Sequence, residues 1–335
     1  MTVAPLFAPT VSRPQRNGAQ RADGGDAYEI YLGDSFGWLD SRESNSIHAI
    51  VTDPPYGLKE YSETEKQKLR KGRGGIWRIP PAFDGCKRSP LPRFTVLDEI
   101  DRSSLRSFFA EFARRVMRVL VPGGHILVAT NPLLSHLVYL PLIDAGFEKR
   151  GEIIRLVQTL RGGDRPKNAH TEFSGVTVMP RSGWEPWGLF RKPCEGRVQD
   201  NLRKWGTGGL RRVSDNEPFM DVIRSAPTRP EERAIAPHPS LKPQAFMRQL
   251  VRAALPLGRG FVLDPFMGAG STVAAAIAVG YKSIGIELDP AYYRIARKAV
   301  PMLAQLNLNG ANSGSSPAGG NGAASAKKSK ANSHQ

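Results

Sequence analysis

The feature that most constrains this chain is a ten-residue turn, Leu263-Asp-Pro-Phe-Met-Gly-Ala-Gly-Ser-Thr272. The apolar run Phe261–Leu263 before it reads as a buried strand, and Thr272–Val279 after it as a helix. Gly268 and Gly270 let the backbone approach a ligand closely and adopt conformations that a Cβ forbids. The helix start near Ser271 adds unpaired N–H groups facing the same ligand. Glu287 stands 23 residues beyond Asp264, at the end of the next strand, Ser283–Ile286. An acid in that place can hold two ribose hydroxyls. Other uses of a glycine turn fit less well. A phosphate loop needs a lysine that Ala269-Gly270-Ser271 lacks, and a dinucleotide turn wants Gly or Ala where Val273 stands. An ordinary strand-to-helix turn explains neither the Asp-Pro-Phe prefix nor the spaced Glu287.

The remaining pattern extends this unit into a larger sheet. Ile47–Thr52 reads as a buried strand, and Ser104–Leu120 carries apolar residues at helical spacing up to Pro122-Gly123-Gly124. His125–Ala129 and Ile153–Leu160 read as further strands. Strands alternating with helices predict an α/β fold with a mainly parallel, doubly wound sheet. Two stretches interrupt the alternation. Leu58–Pro92 is polar, Gly-rich and basic, a length of loop that is usually functional or disordered. Arg191–Ala236 is rich in Arg with little periodicity, and is the expected inserted recognition segment. Residues 1–25 read as a disordered lead-in. Residues 306–335, rich in Asn, Gly, Ser and Ala with a closing Lys-Lys-Ser-Lys, read as a disordered basic tail. One domain over 26–305 is therefore expected, with a catalytic half at 26–190, a recognition segment at 191–236 and a cofactor half at 237–305.

Charge narrows the partners. In 335 residues, 47 Lys and Arg face 31 Asp and Glu, a formal net charge of +16 that suits a polyanion such as nucleic acid. A solvated basic surface is the alternative. Only Cys86 and Cys194 are present, too few for a disulfide framework or a zinc site, so no metal is expected. No apolar run approaches the ~18 residues of a membrane span, and a cytoplasmic location without membrane attachment is expected.

Thr52-Asp-Pro-Pro-Tyr-Gly57 directly follows the first buried strand, at the edge of an open α/β sheet where ligands bind. Pro54 and Pro55 stiffen the loop and remove two N–H donors, leaving carbonyls free to accept. Asp53 can accept one proton of an amine, the Pro54 carbonyl another, and Tyr56 can stack on an aromatic ring. That set suits an amine whose lone pair is delocalised into a base.

Together, Asp53-Pro-Pro-Tyr56 and Asp264-Pro-Phe-x-Gly-x-Gly270 resemble motifs IV and I of the DNA amino-methyltransferases. The catalytic motif comes first and the cofactor motif last, as in the permuted β class of N6-adenine/N4-cytosine DNA methylases. Tyr31-Leu-Gly-Asp34 is similar to the segment whose Asp contacts the cofactor adenine. His238-Pro-Ser-Leu-Lys-Pro243 is similar to the segment that holds the methionine end, which points to His238, Ser240 and Lys242. Val119–Leu127 matches the helix-turn-strand after the catalytic half, and Trp184–Lys192 falls where the family has a β-hairpin facing the target base.

The resemblance covers roughly residues 28–300. It implies a Rossmann-like class I sheet with one antiparallel edge strand, S-adenosylmethionine as donor, and a base flipped out of double-stranded DNA. It places Asp53, Pro54, Pro55 and Tyr56 in catalysis. It places Asp34, Asp53, Asp264, Pro265, Phe266, Gly268, Gly270, Ser271, Thr272, Glu287 and Leu288 on the cofactor, with the three residues of the His238 segment. A homodimer is common in this class, and a cognate restriction endonuclease is a candidate partner. No nucleophilic cysteine is needed.

Recognition is expected in Arg203-Lys-Trp-Gly-Thr-Gly-Gly-Leu-Arg-Arg212: Arg203, Lys204, Arg211 and Arg212 can meet base edges or phosphates, and Trp205 can stack or wedge. Asp53 favours adenine N6, since cytosine-N4 members more often carry Ser there. Protein-glutamine or RNA methyltransferases usually carry Asn in that place and put the glycine turn first. A noncatalytic DNA-binding relative has no need of the intact set Asp53, Tyr56, Gly268, Gly270 and Glu287.

Overall fold

The computed structural model describes residues 26–55, 97–157, 163 and 165–308, with the backbone of Gln20–Arg21. Its strands are β1 (Gln20–Arg21), β2 (Tyr28–Leu32), β3 (Ile47–Thr52), β4 (Leu120–Ala129), β5 (Glu148–Leu156), β6 (Trp184–Arg191), β7 (Val222–Arg224), β8 (Phe261–Asp264) and β9 (Lys282–Glu287). Its helices are α1 (Ser35–Asp40), α2 (Glu99–Val119), α3 (Ser135–Asp144), α4 (Val198–Trp205), α5 (Pro230–Ile235), α6 (Gln244–Ala254), α7 (Ser271–Ala278) and α8 (Pro290–Ala304). Every one of these elements belongs to the compact unit Met1–Gln305. The sequence expectations for Tyr56, for Leu58–Pro92 and for most of both termini lie outside the described residues.

The nine strands form one sheet in the order β1-β2-β9-β8-β3-β4-β6-β5-β7. Side chains of β3 and β4 alternate between two cores, as the two-residue period of a strand requires. Ile50, Ile126 and Val128 face α2 and α3, where Phe109, Phe112 and Leu142 are fully buried. Ala49, Val51, Leu127 and Ala129 face Phe246, Leu250 and Ala275 of α6 and α7. Burial on both faces is why these strands read as near-continuous apolar runs.

The chain's first long strand pairs with its last. β2 runs parallel to β9 in the register Tyr28↔Ser283 to Leu32↔Glu287, and Gly33 N–H donates to the Glu287 carbonyl at 2.9 Å. Asp34 and Glu287, far apart in sequence, therefore leave the sheet side by side.

Three expectations shift. The antiparallel edge strand is β1, paired with β2, and a second antiparallel strand, β6, lies inside the sheet, hydrogen-bonded on one side to β4 and on the other to β5. Trp184–Arg191 is thus an interior strand, with Trp187 fully buried, and forms the second arm of the antiparallel β5–β6 pair. β5 starts at Glu148, five residues early, because its exposed polar half (Glu148–Glu152) gains pairing from β6 rather than from burial. The helix before β4 begins at Glu99, where Asp98 and Asp101 cap each other reciprocally.

Candidate active site

The parallel strands β3, β8 and β9 end on the same edge of the sheet, and the residues singled out in the sequence leave from those ends. Gly268 (φ 53°) and Gly270 (φ 85°) both take left-handed conformations. A Cβ on Gly268 would stand 3.2 Å from His238 Nε2, and one on Gly270 would run into the Val300 side chain. Here glycine is required by backbone angle and by space together.

Glu287 fixes the turn. Its Oε2 accepts from Gly268 N–H at 2.8 Å and its Oε1 from Asp289 N–H at 2.8 Å. Burial pushes this carboxyl above its ordinary range. Asp264 is buried, and its Oδ1 accepts from Thr52 Oγ at 2.7 Å and from Phe266 N–H at 3.2 Å. Burial is the main cause that raises its pKa to about 6. The Thr52–Asp264 bond ties the strand that carries Asp53 to the strand that carries the glycine turn.

One cleft is lined by Asp53, His238, Ser240 and Lys242 on one side and by Asp264, Phe266, Gly268, Ser271 and Thr272 on the other. Phe266 reaches back into the core, its ring 5.6 Å from that of Phe112. The His238 ring sits edge-on to Tyr292 at 4.3 Å, and burial, with Lys242 nearby, lowers its pKa to about 4. Pro54 is buried directly behind Asp53, and Pro55 follows it half-buried. Asp34 caps α1 by accepting from Gly37 N–H at 2.9 Å. Pro265 and Gly270 stand within the turn. Leu288 is exposed beyond Glu287 and is not among the residues lining the cleft.

Two contacts add to the sequence reading. Lys242, in the segment expected at the donor's methionine end, lines the cleft and turns its ammonium to Asp53 Oδ2 at 2.6 Å. Glu185, passed over in the sequence, stands 3.4 Å from the same nitrogen and pairs with Arg155 at 3.0 Å. The available signal was one acid, Glu185, among the apolar and aromatic residues at the start of β6, and one base, Arg155, following Ile153 and Ile154 in β5.

The recognition residues leave in the opposite direction. In α4, Asn201 Nδ2 donates to the carbonyls of Pro122 (3.0 Å) and Thr207 (2.7 Å), which seats the helix at the start of β4. Arg211 donates to Tyr281 Oη at 2.7 Å, just before β9 begins, and Arg252 holds the Arg212 carbonyl at 2.6 Å. Arg203 pairs with Asp200, while Lys204 and Trp205 both bond Glu195. These five residues lie at the amino ends of the strands, a strand length of about 20 Å from the cleft. Arg191–Ala236 is therefore no single insertion over the site: its first part packs at the amino edge, and only the stretch after β7 returns to the carboxyl edge.

Comparison with known proteins agrees with this geometry. Residues 164–298 match a family model described as DNA methylase. The Type II methyltransferase M2.DpnII of Streptococcus pneumoniae is 32% identical over 265 residues, covering 79% of this chain and 86% of that protein. The chain belongs to the N6-adenine/N4-cytosine DNA methylase family. Among solved structures, the cytosine-N4-specific PvuII DNA methyltransferase shares the fold with a TM-score of 0.53 at 15% identity, over 85% of this chain and 88% of that one. A DNA modification methylase of Thermus thermophilus, solved with S-adenosyl-L-methionine, has a TM-score of 0.50 at 20% identity, covering 83% and 96% of the two chains. Among the described residues no helix is long and apolar enough to cross a membrane, and no group of His, Cys, Asp and Glu could hold a metal ion.

Proposed function

We propose that this DNA methylase transfers a methyl group from S-adenosylmethionine to adenine N6 of a base flipped out of double-stranded DNA. The observation that carries the reading is the shared cleft: the Asp53 carboxylate and the Gly268–Thr272 turn line one cavity, tied by Thr52 and Asp264.

The donor set suits that cofactor. The left-handed glycines open the turn, Glu287 offers a carboxylate to ribose hydroxyls, Asp34 stands beside it for the adenine, and His238 and Ser240 line the far end. When bound, the cofactor would supply an electrophilic methyl group to the base nitrogen, with the C–S bonding pair left on sulfur and the surplus amine proton passing to water. Asp53 accepts one amine N–H and the Pro54 carbonyl the other, which localises the nitrogen lone pair toward the methyl carbon. A duplex base must leave its stack to reach this cleft, at a cost of roughly a few kcal/mol.

DNA is expected over the carboxyl edge. Between β5 and β6, Val157 N–H donates to the Gly183 carbonyl and Gly163 N–H to the Met179 carbonyl, and Arg165, Lys167 and Arg181 are exposed. Phosphates suit these cations. The Type II naming of relatives makes a cognate restriction endonuclease a further candidate partner.

Asp53 in the catalytic loop supports adenine, and cytosine N4 is the second reading. Incubating the protein with methyl-tritiated donor and unmethylated DNA, then digesting to nucleosides, separates them. Label in N6-methyladenosine is expected. Label in N4-methylcytosine selects the second reading, and no label in DNA contradicts both.

A further inference from the structure

A chain of alternating charge enters the cleft from the side opposite the glycine turn. Arg155 and Glu185 are cross-strand partners on β5 and β6, joined at 3.0 Å. Arg155 is held on every side: its Nε donates to Ser225 Oγ at 3.0 Å, a terminal nitrogen donates to the Ala226 carbonyl at 3.2 Å, and its guanidinium stacks over Phe246 at 5.2 Å. Glu185 also accepts from the Trp187 indole at 3.0 Å. Lys242 bridges onward, 3.4 Å from Glu185 and 2.6 Å from Asp53.

The backbone that presents Lys242 is clamped as well. Glu232 accepts from Arg229 N–H and from Gln244 N–H, and the Gln244 side chain reaches the Ser271 carbonyl at 2.9 Å. The Lys242 side chain is 12% exposed, and those of Asp53 and Glu185 about a fifth, so bulk water screens the chain weakly.

We propose that Lys242 and Glu185 are positioning residues for methyl transfer: Glu185, fixed by Arg155 and Trp187, holds the Lys242 ammonium against Asp53, which keeps that carboxylate charged and oriented for the amine. This rests on the methyltransferase reading and assigns Lys242 a role other than cofactor contact. The electrostatics are consistent. Burial opposes charge on both partners, yet Asp53 and Glu185 keep Lys242 above its ordinary range, and Lys242 and Arg155 keep Glu185 below its own. Asp264, on β8, is the nearby like charge that works against ionised Asp53, and His238 is the remaining titratable group near Lys242. The Lys242 cation between Asp53 and Glu185 offsets the like charge that Asp264 sets against Asp53.

The test compares wild type with Glu185→Gln, Lys242→Met and Lys242→Arg, measuring kcat against pH at saturating donor and DNA, and donor Kd by calorimetry. Loss of an opposite charge raises a carboxyl pKa by about 1 to 3 units, so the acid limb of kcat should move up by at least about one pH unit in Lys242→Met. Glu185→Gln should move it less, in the same direction, and Lys242→Arg should restore most of it. Donor Kd should stay within about threefold throughout, as expected for groups that act on the amine side. An unmoved acid limb, a tenfold loss of donor affinity in Lys242→Met, or a gain in activity in that variant would each overturn the proposal. Wild type that transfers no methyl group sinks the methyltransferase reading itself, and this inference with it.

Discussion

The two ends of the parallel strands are both rich in charge, glycine and arginine, yet they are built on different principles. At the carboxyl edge the charged contacts join residues remote in sequence and sit out of water: Lys242 meets Asp53 across 189 positions, and Thr52 meets Asp264 across 212. At the amino edge the ion pairs are mostly local and exposed, such as Arg203 with Asp200 and Arg197 with Asp200, each three residues apart. Exposed pairs of that kind contribute about 0–1 kcal/mol. Density of arginine in a sequence therefore says little about where chemistry occurs. Topology decides it, by choosing which strand ends open on the cleft.

Four predictions sharpen this contrast. Glu287→Ala should have the largest effect, weakening donor binding roughly 10- to 100-fold, because it removes a charged hydrogen-bond acceptor and frees the Gly268 turn. Calorimetric titration of the donor reads it directly, and an unchanged Kd would place the donor elsewhere.

The next concerns acid stability at the amino edge, where His125 is buried with a pKa lowered to about 3 by burial and by Arg191 and Arg150. Because the folded value lies below the unfolded one, His125 costs nothing above an unfolded pKa of about 6.5. As pH falls below that value the unfolded chain takes up the proton first, and by about pH 4.5 roughly 3 kcal/mol of stability should be lost. Urea unfolding at about pH 7.5 and about pH 4.5 should show a smaller drop in His125→Gln than in wild type.

Asn201→Ala should cost about 2 kcal/mol of stability, since it leaves the buried Thr207 carbonyl and the Glu195 N–H without their partner, while the Pro122 carbonyl keeps the Thr207 hydroxyl. Activity per folded molecule should not change. The smallest effect is expected from Arg203→Ala with Arg212→Ala. DNA affinity at fixed salt should fall by less than about threefold, against a larger loss for Arg165→Ala with Arg181→Ala at the carboxyl edge. The reverse ranking would return DNA recognition to the amino edge.

What could be read from sequence follows the same division. The glycine turn, Glu287 and the Asp53 loop were legible because each is a short local pattern whose chemistry needs those residue types at that spacing. β3, β8 and β9 were legible because burial on both faces leaves continuous apolar runs. The Arg155–Glu185–Lys242 chain was not, because its members come from three segments that only the sheet order brings together. The interior place of β6 was not legible for a related reason: its pairing with both β4 and β5 is set by the sheet order, which no local pattern in Trp184–Arg191 records. The basic run of α4 drew attention by composition, and the one residue that places this helix, Asn201, carries no charge.

Asp53 should act on an amine in the same cleft that holds the methyl donor. Transfer of tritiated methyl to DNA by wild type and by Asp53→Ala, with donor Kd measured for both, tests that most directly. Label in N6-methyladenosine from wild type, a loss of at least about a hundredfold in the variant, and donor Kd within about threefold are predicted. Equal transfer by both proteins, or a variant that fails only because it no longer binds donor, would contradict it.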